Sequence, residues 1–306
     1  MQTIKKNKGN KLQKLEKHRA WVKKHKEERR RNNEIAKGFG NAEFGGVKAK
    51  KSLGQNFLHN ISVVENICKS VEIDGKIVVE VGPGTGFLTH EILKHEPKKL
   101  ILVEKDTHLF RGLQKTFNRE VDAGKIEILN EDALKINIGE LAKTEGEKVN
   151  IIANLPYNIG TTLVMNWLEW LDGIENIVVM LQKEVVDRIC AVPNTKDYGR
   201  ISVLVQVLCN CRKLFDVKPE CFNPRPKVMS SVVKIVPKDV KISKDTMKKL
   251  DKICRFAFNQ RRKKLSNAFK NTEFESILPN DFKEKRAEEL NIEEYLQIAK
   301  LVVKSS

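Results

Sequence analysis

The sequence contains no apolar run approaching the ~18 residues of a membrane-spanning helix. Its charged N-terminus also lacks the apolar core of a secretory signal. Both absences imply a soluble intracellular chain with no membrane partner. The six cysteines, Cys68, Cys190, Cys209, Cys211, Cys221 and Cys254, form no CxxC pair and have no matching histidine spacing. That excludes the common structural zinc patterns and fits a reduced compartment without a metal. No internal repeat is present. Acidic residues are scarce at one end of the chain: residues 1–51 hold 17 Lys/Arg against 5 Asp/Glu, a net of +12. Of the formal net charge of +17, only +5 is left for the remaining 255 residues. An imbalance of this kind points to a polyanionic partner.

Met1 to Lys37 has few apolar positions, and Leu12, Leu15, Trp21 and Val22 make only a thin stripe. Residues 1–50 therefore read as a basic arm, flexible or helical, that orders on nucleic acid. A mitochondrial targeting segment is the alternative, and it would move the protein from the cytoplasm to the mitochondrion of a eukaryotic source. Against it, Lys exceeds Arg, no serine precedes Ser52, and Glu16, Glu27, Glu28 and Glu34 interrupt the charge. Gly38 to Gly46 has the composition of a linker.

From Lys51 the pattern alternates between strand-like and helix-like stretches, which predicts an α/β domain with a mostly parallel sheet over residues 51–238. Strands are expected over Lys76 to Val81, Leu100 to Val103, Ile126 to Leu129, Val149 to Ala153, Ile174 to Leu181, Arg212 to Val217 and Ser230 to Val236. After Pro237 the spacing turns helical over Lys244 to Phe258, Arg261 to Phe269 and Ile292 to Val303, predicting a small all-helical domain over 239–306. Each polar motif falls at the carboxyl end of a strand, where open α/β sheets bind ligands.

Four of these motifs suggest chemistry. Glu80-Val81-Gly82-Pro83-Gly84-Thr85-Gly86 lets backbone approach a ligand at a helix start, and Pro83 with the missing GK[ST] ending argues against a nucleotide-triphosphate loop. Glu104 ends the next strand, placed for the two hydroxyls of a ribose, as in sites for NAD or S-adenosylmethionine. Asp132-Ala133 favours the second, since an acid there can receive an adenine amino group while its neighbour packs the ring. Either acid could instead cap the following helix. In Asn154-Leu155-Pro156-Tyr157 the Asn side-chain oxygen and the Leu155 carbonyl can both accept from an exocyclic amine. Pro156 removes a competing donor, and Tyr157 offers a face for a planar base. Alone, these four residues would also suit a tight turn after a strand.

Together the motifs resemble the ribosomal RNA adenine N6-dimethyltransferases of the small subunit, in the bacterial form. The resemblance covers about Lys51 to Val303. It rests on Leu53-Gly54-Gln55-Asn56-Phe57-Leu58, the Glu80 to Gly86 loop, Asn154 to Tyr157, and Met180-Leu181-Gln182-Lys183-Glu184-Val185-Val186. The further strings are Tyr198-Gly199-Arg200-Ile201-Ser202-Val203, Phe222-Asn223-Pro224-Arg225-Pro226-Lys227-Val228 and Ala257-Phe258-Asn259-Gln260-Arg261-Arg262-Lys263. It implies a Rossmann-like class I methyltransferase domain with a seven-stranded sheet, and S-adenosylmethionine as cofactor. Asn56 and Leu58 would close over its methionine end, with Gly82 beneath, Glu104 on the ribose, Asp132 on the adenine amine and Asn154 touching both cofactor and target. Phe222 would stack the target adenine opposite Tyr157. The implied reaction is dimethylation of two adjacent adenosines near the 3′ end of small-subunit ribosomal RNA, by a monomer acting on a pre-small-subunit particle, with a role in its assembly. The large-subunit resistance branch of the same fold is disfavoured by Phe258 to Arg262 and by Tyr198 to Val203. A non-catalytic nucleic-acid-binding or assembly factor is disfavoured by intact Glu104, Asp132 and Asn154 to Tyr157.

Overall fold

The computed structural model describes residues 49–50 and 53–305, so the basic arm and linker expected over 1–46 lie outside the described residues. In chain order the strands are β1 (Phe57–Leu58), β2 (Ile77–Val81), β3 (Lys99–Val103), β4 (Ile126–Leu129), β5 (Val149–Asn154), β6 (Ile174–Gln182), β7 (Cys209–Val217), β8 (Phe222–Asn223) and β9 (Ser230–Pro237). Seven form one sheet in the order β4-β3-β2-β5-β6-β9-β7, while β1 and β8 pair separately. The first five of that order are mutually parallel, and β9 runs antiparallel to both β6 and β7. The seven expected strands are all present, with ends within a few residues of the sequence pattern. Only the two-residue β1 and β8 had no signal, being too short for any periodicity.

Apolar runs explain the parallel part. Every residue of β2, Ile-Val-Val-Glu-Val, is buried, as a strand covered on both faces requires. Alternate side chains enter different cores: Val79, Ile101, Ile151 and Ile177 on one face, Val78, Leu102, Ile152 and Val178 on the other. Strand order reverses between β2 and β5, and there the pairing stops early. The β2–β5 ladder ends at Val79↔Ile151, whereas β2–β3 continues to Val81↔Val103 and β5–β6 to Asn154↔Met180. The two central strands thus part company before they end, and a crevice opens between their carboxyl ends.

The C-terminal region is helical, as expected, and it shares the first of the two cores. Leu250, Ile253, Tyr295 and Ile298 belong to the same buried cluster as Val203 and Tyr198. Phe258 stacks on Tyr295 at 5.7 Å and meets Tyr198 edge-on at 6.0 Å. Ser243 caps the long helix Lys244–Asn259, its Oγ accepting from the Thr246 N–H at 3.1 Å. The helix expected over Arg261 to Phe269 is only Leu265–Ala268. Arg261 leaves the helical path because its guanidinium is used elsewhere. It donates to Glu288 and to the Lys196 carbonyl, and at 2.8 Å to the Thr195 carbonyl. The Asn194 N–H adds a bond to the Glu288 carbonyl at 2.8 Å, so the loop before Tyr198 is tied to the C-terminal helices.

Arg261→Ala is therefore expected to destabilise the protein by about 1–3 kcal/mol, because it removes charge-assisted bonds at a half-buried site. Arg261→Lys should recover only part of this, lacking the planar fork. Denaturant midpoints test it, and a wild-type midpoint for Arg261→Ala would show that the clamp contributes nothing.

Candidate active site

The crevice is lined by the glycine loop after β2, the end of β3, the turn after β4, the loop after β5, and residues 53–58. Gly82 has φ +66° and Gly84 φ +60°, backbone values that favour glycine. At Gly84 space is also limiting, because a Cβ would lie 3.0 Å from the Phe57 ring. The loop is braced from beneath by Glu104. One carboxylate oxygen accepts from the Gly84 N–H at 3.2 Å and the other from the Asp106 N–H at 2.8 Å. Glu104 thus caps no helix; Asp106 does, its Oδ1 accepting from the His108 N–H at 3.0 Å.

Two carboxylates are buried here. Burial pushes the Glu104 carboxyl up to about 7, against the opposing pull of the Asp106 and Gly84 N–H donors. Burial likewise pushes Glu80 up to about 8, although the Thr89 hydroxyl donates to it at 2.6 Å. Asp132 behaves differently. Its carboxylate pairs with Lys105 at 2.7 Å and caps the short turn Ala133–Lys135 by accepting from the Leu134 N–H at 3.1 Å. The Lys105 ammonium holds its pKa below the usual carboxylate range. For Asp132 the capping role and a place on the crevice wall hold together.

On the other wall, the Asn154 amide Nδ2 donates to the Asn56 carbonyl at 3.1 Å. That fixes the side chain and leaves Oδ1 as an acceptor. Among the described residues neither Asn154 Oδ1 nor the Leu155 carbonyl accepts a hydrogen bond, and both residues line the crevice. Pro156 carries no N–H, and its carbonyl is used within the chain by Ile159 and Gly160. The Tyr157 hydroxyl lies 2.5 Å from Ser230 Oγ, which pins the ring; burial raises its pKa.

Asn56, Leu58, Gly82, Glu104, Asp132 and Asn154 to Tyr157 are thus gathered in one crevice. Asn56 contributes its backbone carbonyl, while its side chain turns back to the Gly54 carbonyl at 3.3 Å. Phe222 is the exception. It is 1% exposed, is paired with Leu58 in the β1–β8 ladder, and belongs to the core behind the wall. The ring expected to stack a base is thus buried here. Sequence reasoning gave Glu80 no role of its own and missed Ser230. An acid inside an otherwise apolar strand was a usable signal for Glu80; for Ser230, whose partner is 73 positions away, there was none.

The family model for ribosomal RNA adenine dimethylase matches residues 46–304. The ribosomal RNA small subunit methyltransferase A of Wolbachia sp. subsp. Drosophila simulans is 41% identical over 261 residues, covering 83% of this chain and 93% of that one. The protein of the same name from Pelagibacter ubique is 43% identical over 229 residues, covering 73% and 83%. A crystal structure of a dimethyladenosine transferase from Plasmodium falciparum superposes with a TM-score of 0.66 at 26% identity, covering 79% of this chain and 95% of that one. The 23S rRNA methyltransferase ErmE, at 21% identity and TM-score 0.60, shares the fold. The chain belongs to the ribosomal RNA adenine dimethylase family, and its reaction is the S-adenosylmethionine-dependent dimethylation of adenine in ribosomal RNA.

Proposed function

We propose that the target is a pair of adjacent adenosines near the 3′ end of small-subunit ribosomal RNA, methylated in a partly assembled particle by a cytoplasmic monomer. The small-subunit names of the curated bacterial relatives support this. No helix among the described residues is long and apolar enough to cross a membrane. The observation that carries the site assignment is the pair of unused acceptors, Asn154 Oδ1 and the Leu155 carbonyl, on the crevice wall. Residues 51–238 then do the chemistry.

The crevice suits S-adenosylmethionine on its own geometry. Gly82 presents no side chain, Glu104 offers carboxylate oxygens to ribose hydroxyls, and Asp132 stands at the adenine end with Leu58 and Asn56 over the methionine end. When bound, the cofactor supplies an activated methyl group on a sulfonium. The protein does the positioning. The adenine N6 lone pair is delocalised into the ring, so the amine is a poor nucleophile. Asn154 and Leu155, accepting both N–H bonds, favour a pyramidal nitrogen with its lone pair out of plane. Tyr157, held by Ser230, sets the plane of the base. No general base is needed, because the proton leaves after the nitrogen has become cationic. The monomethylated base retains one N–H, so the second transfer proceeds with only one of the two acceptors engaged. In this arrangement Phe222 pairs with Leu58 and lies buried behind the crevice wall.

Three outcomes are expected. Mass spectrometry of small-subunit particles methylated in vitro should show dimethyladenosine at two neighbouring positions; monomethyladenosine alone, or modification confined to large-subunit RNA, would overturn the proposal. Asn154→Ala should lower kcat by about 10²-fold through misplacement of the nitrogen while RNA affinity changes little. A loss confined to RNA affinity would make Asn154 a docking residue. The third is set by pH. Glu104 ionises near 7 in the free protein and binds ribose hydroxyls as a carboxylate, so cofactor binding lowers its pKa and releases a proton. Affinity should therefore fall as pH drops through about 7, and the Glu104→Gln variant should show neither this dependence nor the proton release. Calorimetry in buffers of different ionisation enthalpy measures both, and a pH-independent wild-type affinity between pH 6 and 8 would remove Glu104 from the ribose site.

A further inference from the structure

The loop between β8 and β9 is exposed over residues 223–229 apart from half-buried Pro226, yet both its ends are fixed. Before it, Phe222 is 1% exposed and pairs with Leu58. After it, Ser230 is fully buried, pairs with Gln182 and Val217, and holds the Tyr157 hydroxyl at 2.5 Å. The Met229 carbonyl accepts from the Lys183 N–H at 2.9 Å. Pro224 and Pro226 fix φ at alternate positions and stiffen the span. The loop is thus a stiff rim beside the residue that sets the plane of the target base.

Its side chains have the chemistry of a nucleic-acid contact. Arg225 and Lys227 are exposed, and neither has a hydrogen bond or ion pair among the described residues. Many other cations here do have one, including Lys183, Lys213 and Arg200. Residues 218–229 hold Lys218, Arg225 and Lys227 against Glu220, a net of +2. Val228 and Met229 are 45% and 36% exposed, the one sequence-adjacent pair among the exposed large apolar side chains of the described residues. An apolar pair this small is far below the area of a protein interface, but it suffices to cover one base.

We propose that this rim binds the single-stranded RNA flanking the target adenosine, with Arg225 and Lys227 on its phosphates and Val228 with Met229 against a neighbouring base. The inference rests on the proposed target site, since a base stacked on Tyr157 must leave its strand crossing the crevice rim. Phosphate binding gives affinity and register, and the apolar pair adds buried surface without selecting a base by hydrogen bonding.

The test uses the full chain and protein-free, unmethylated small-subunit ribosomal RNA. Arg225→Ala combined with Lys227→Ala is expected to weaken RNA binding and to flatten the slope of log Kd against log salt by about 0.7 for each phosphate no longer neutralised, about 1.4 for the pair. Val228→Ser combined with Met229→Ser should weaken binding with the salt slope unchanged. Cofactor affinity should equal wild type in both variants, which also reports that they fold. Wild-type RNA affinity and salt slope in both folded variants would overturn the assignment. So would a defect seen with ribosomal particles but not with protein-free RNA, which would give the rim to a ribosomal protein. Methylation of small-subunit particles by the wild type is read separately: its absence would overturn the target site itself, whatever the loop variants show.

Discussion

The early end of pairing between β2 and β5 is the constraint on which the rest of the site depends. The parallel ladders hold the carboxyl ends of β2, β3, β4, β5 and β6 at one edge of the sheet, where the loops that follow β2, β3 and β4 carry Gly82, Glu104 and Asp132 and where β5 ends on Asn154. Were the ladder to continue past Val79↔Ile151, the backbone of Glu80 and Val81 would be paired with β5 and no crevice would open. The reversal of strand order makes that continuation unnecessary, because β2 finishes its pairing against β3 and β5 finishes against β6. The backbone groups are therefore largely satisfied while the gap between the two strands stays free for a ligand.

That gap is electrostatically unusual. Glu80 and Glu104 are 1% and 5% exposed, with no Lys or Arg side chain among the described residues hydrogen-bonded to either, and burial raises the cost of ionising each. Two other acids are the opposite case because each has a cation, Asp132 paired with Lys105 and the buried Asp106 with Lys50 at 2.8 Å. Both buried carboxyls bind protons more tightly folded than unfolded, so their contribution to stability is present at low pH and is lost as pH rises from about 4.5 towards 8. In the proposed site, ribose hydroxyls bound to the ionised Glu104 would offset its share of that loss.

The sheet was legible in the sequence because its central strands β2, β3, β5 and β6 are largely apolar runs ended by polar motifs. That the glycine loop, Glu104, Asp132 and Asn154 line one crevice was legible for the same reason, since each lies at or just after the end of a strand. What was not legible depends on partners distant in sequence. The helix expected across Arg261 to Phe269 carried good spacing, but Arg261 is drawn to carbonyls about 65 positions earlier and the helix starts late. Phe222 carried the motif of a stacking ring, but it is buried and paired with Leu58, which no local pattern connects to it. Propensity and motif describe what a segment offers; long-range pairing determines which face it shows.

Residues 53–58 illustrate how that pairing becomes chemistry. The Phe57 ring stands over Gly84 of the cofactor loop, the Asn56 carbonyl takes the amide of Asn154 on the target loop, and Leu58 pairs with Phe222 ahead of the basic rim. One strip of backbone therefore touches the methyl-donor wall, the acceptor pair and the foot of the loop that carries Arg225 and Lys227. An in-line transfer is sensitive to small displacements of donor against acceptor. Fixing both walls to the same strip removes one degree of freedom between them. In the proposed site, a shift of residues 56 and 57 would disturb the close approach to Gly84 and the bond to the Asn154 amide together, so this segment couples the spacing of the two walls.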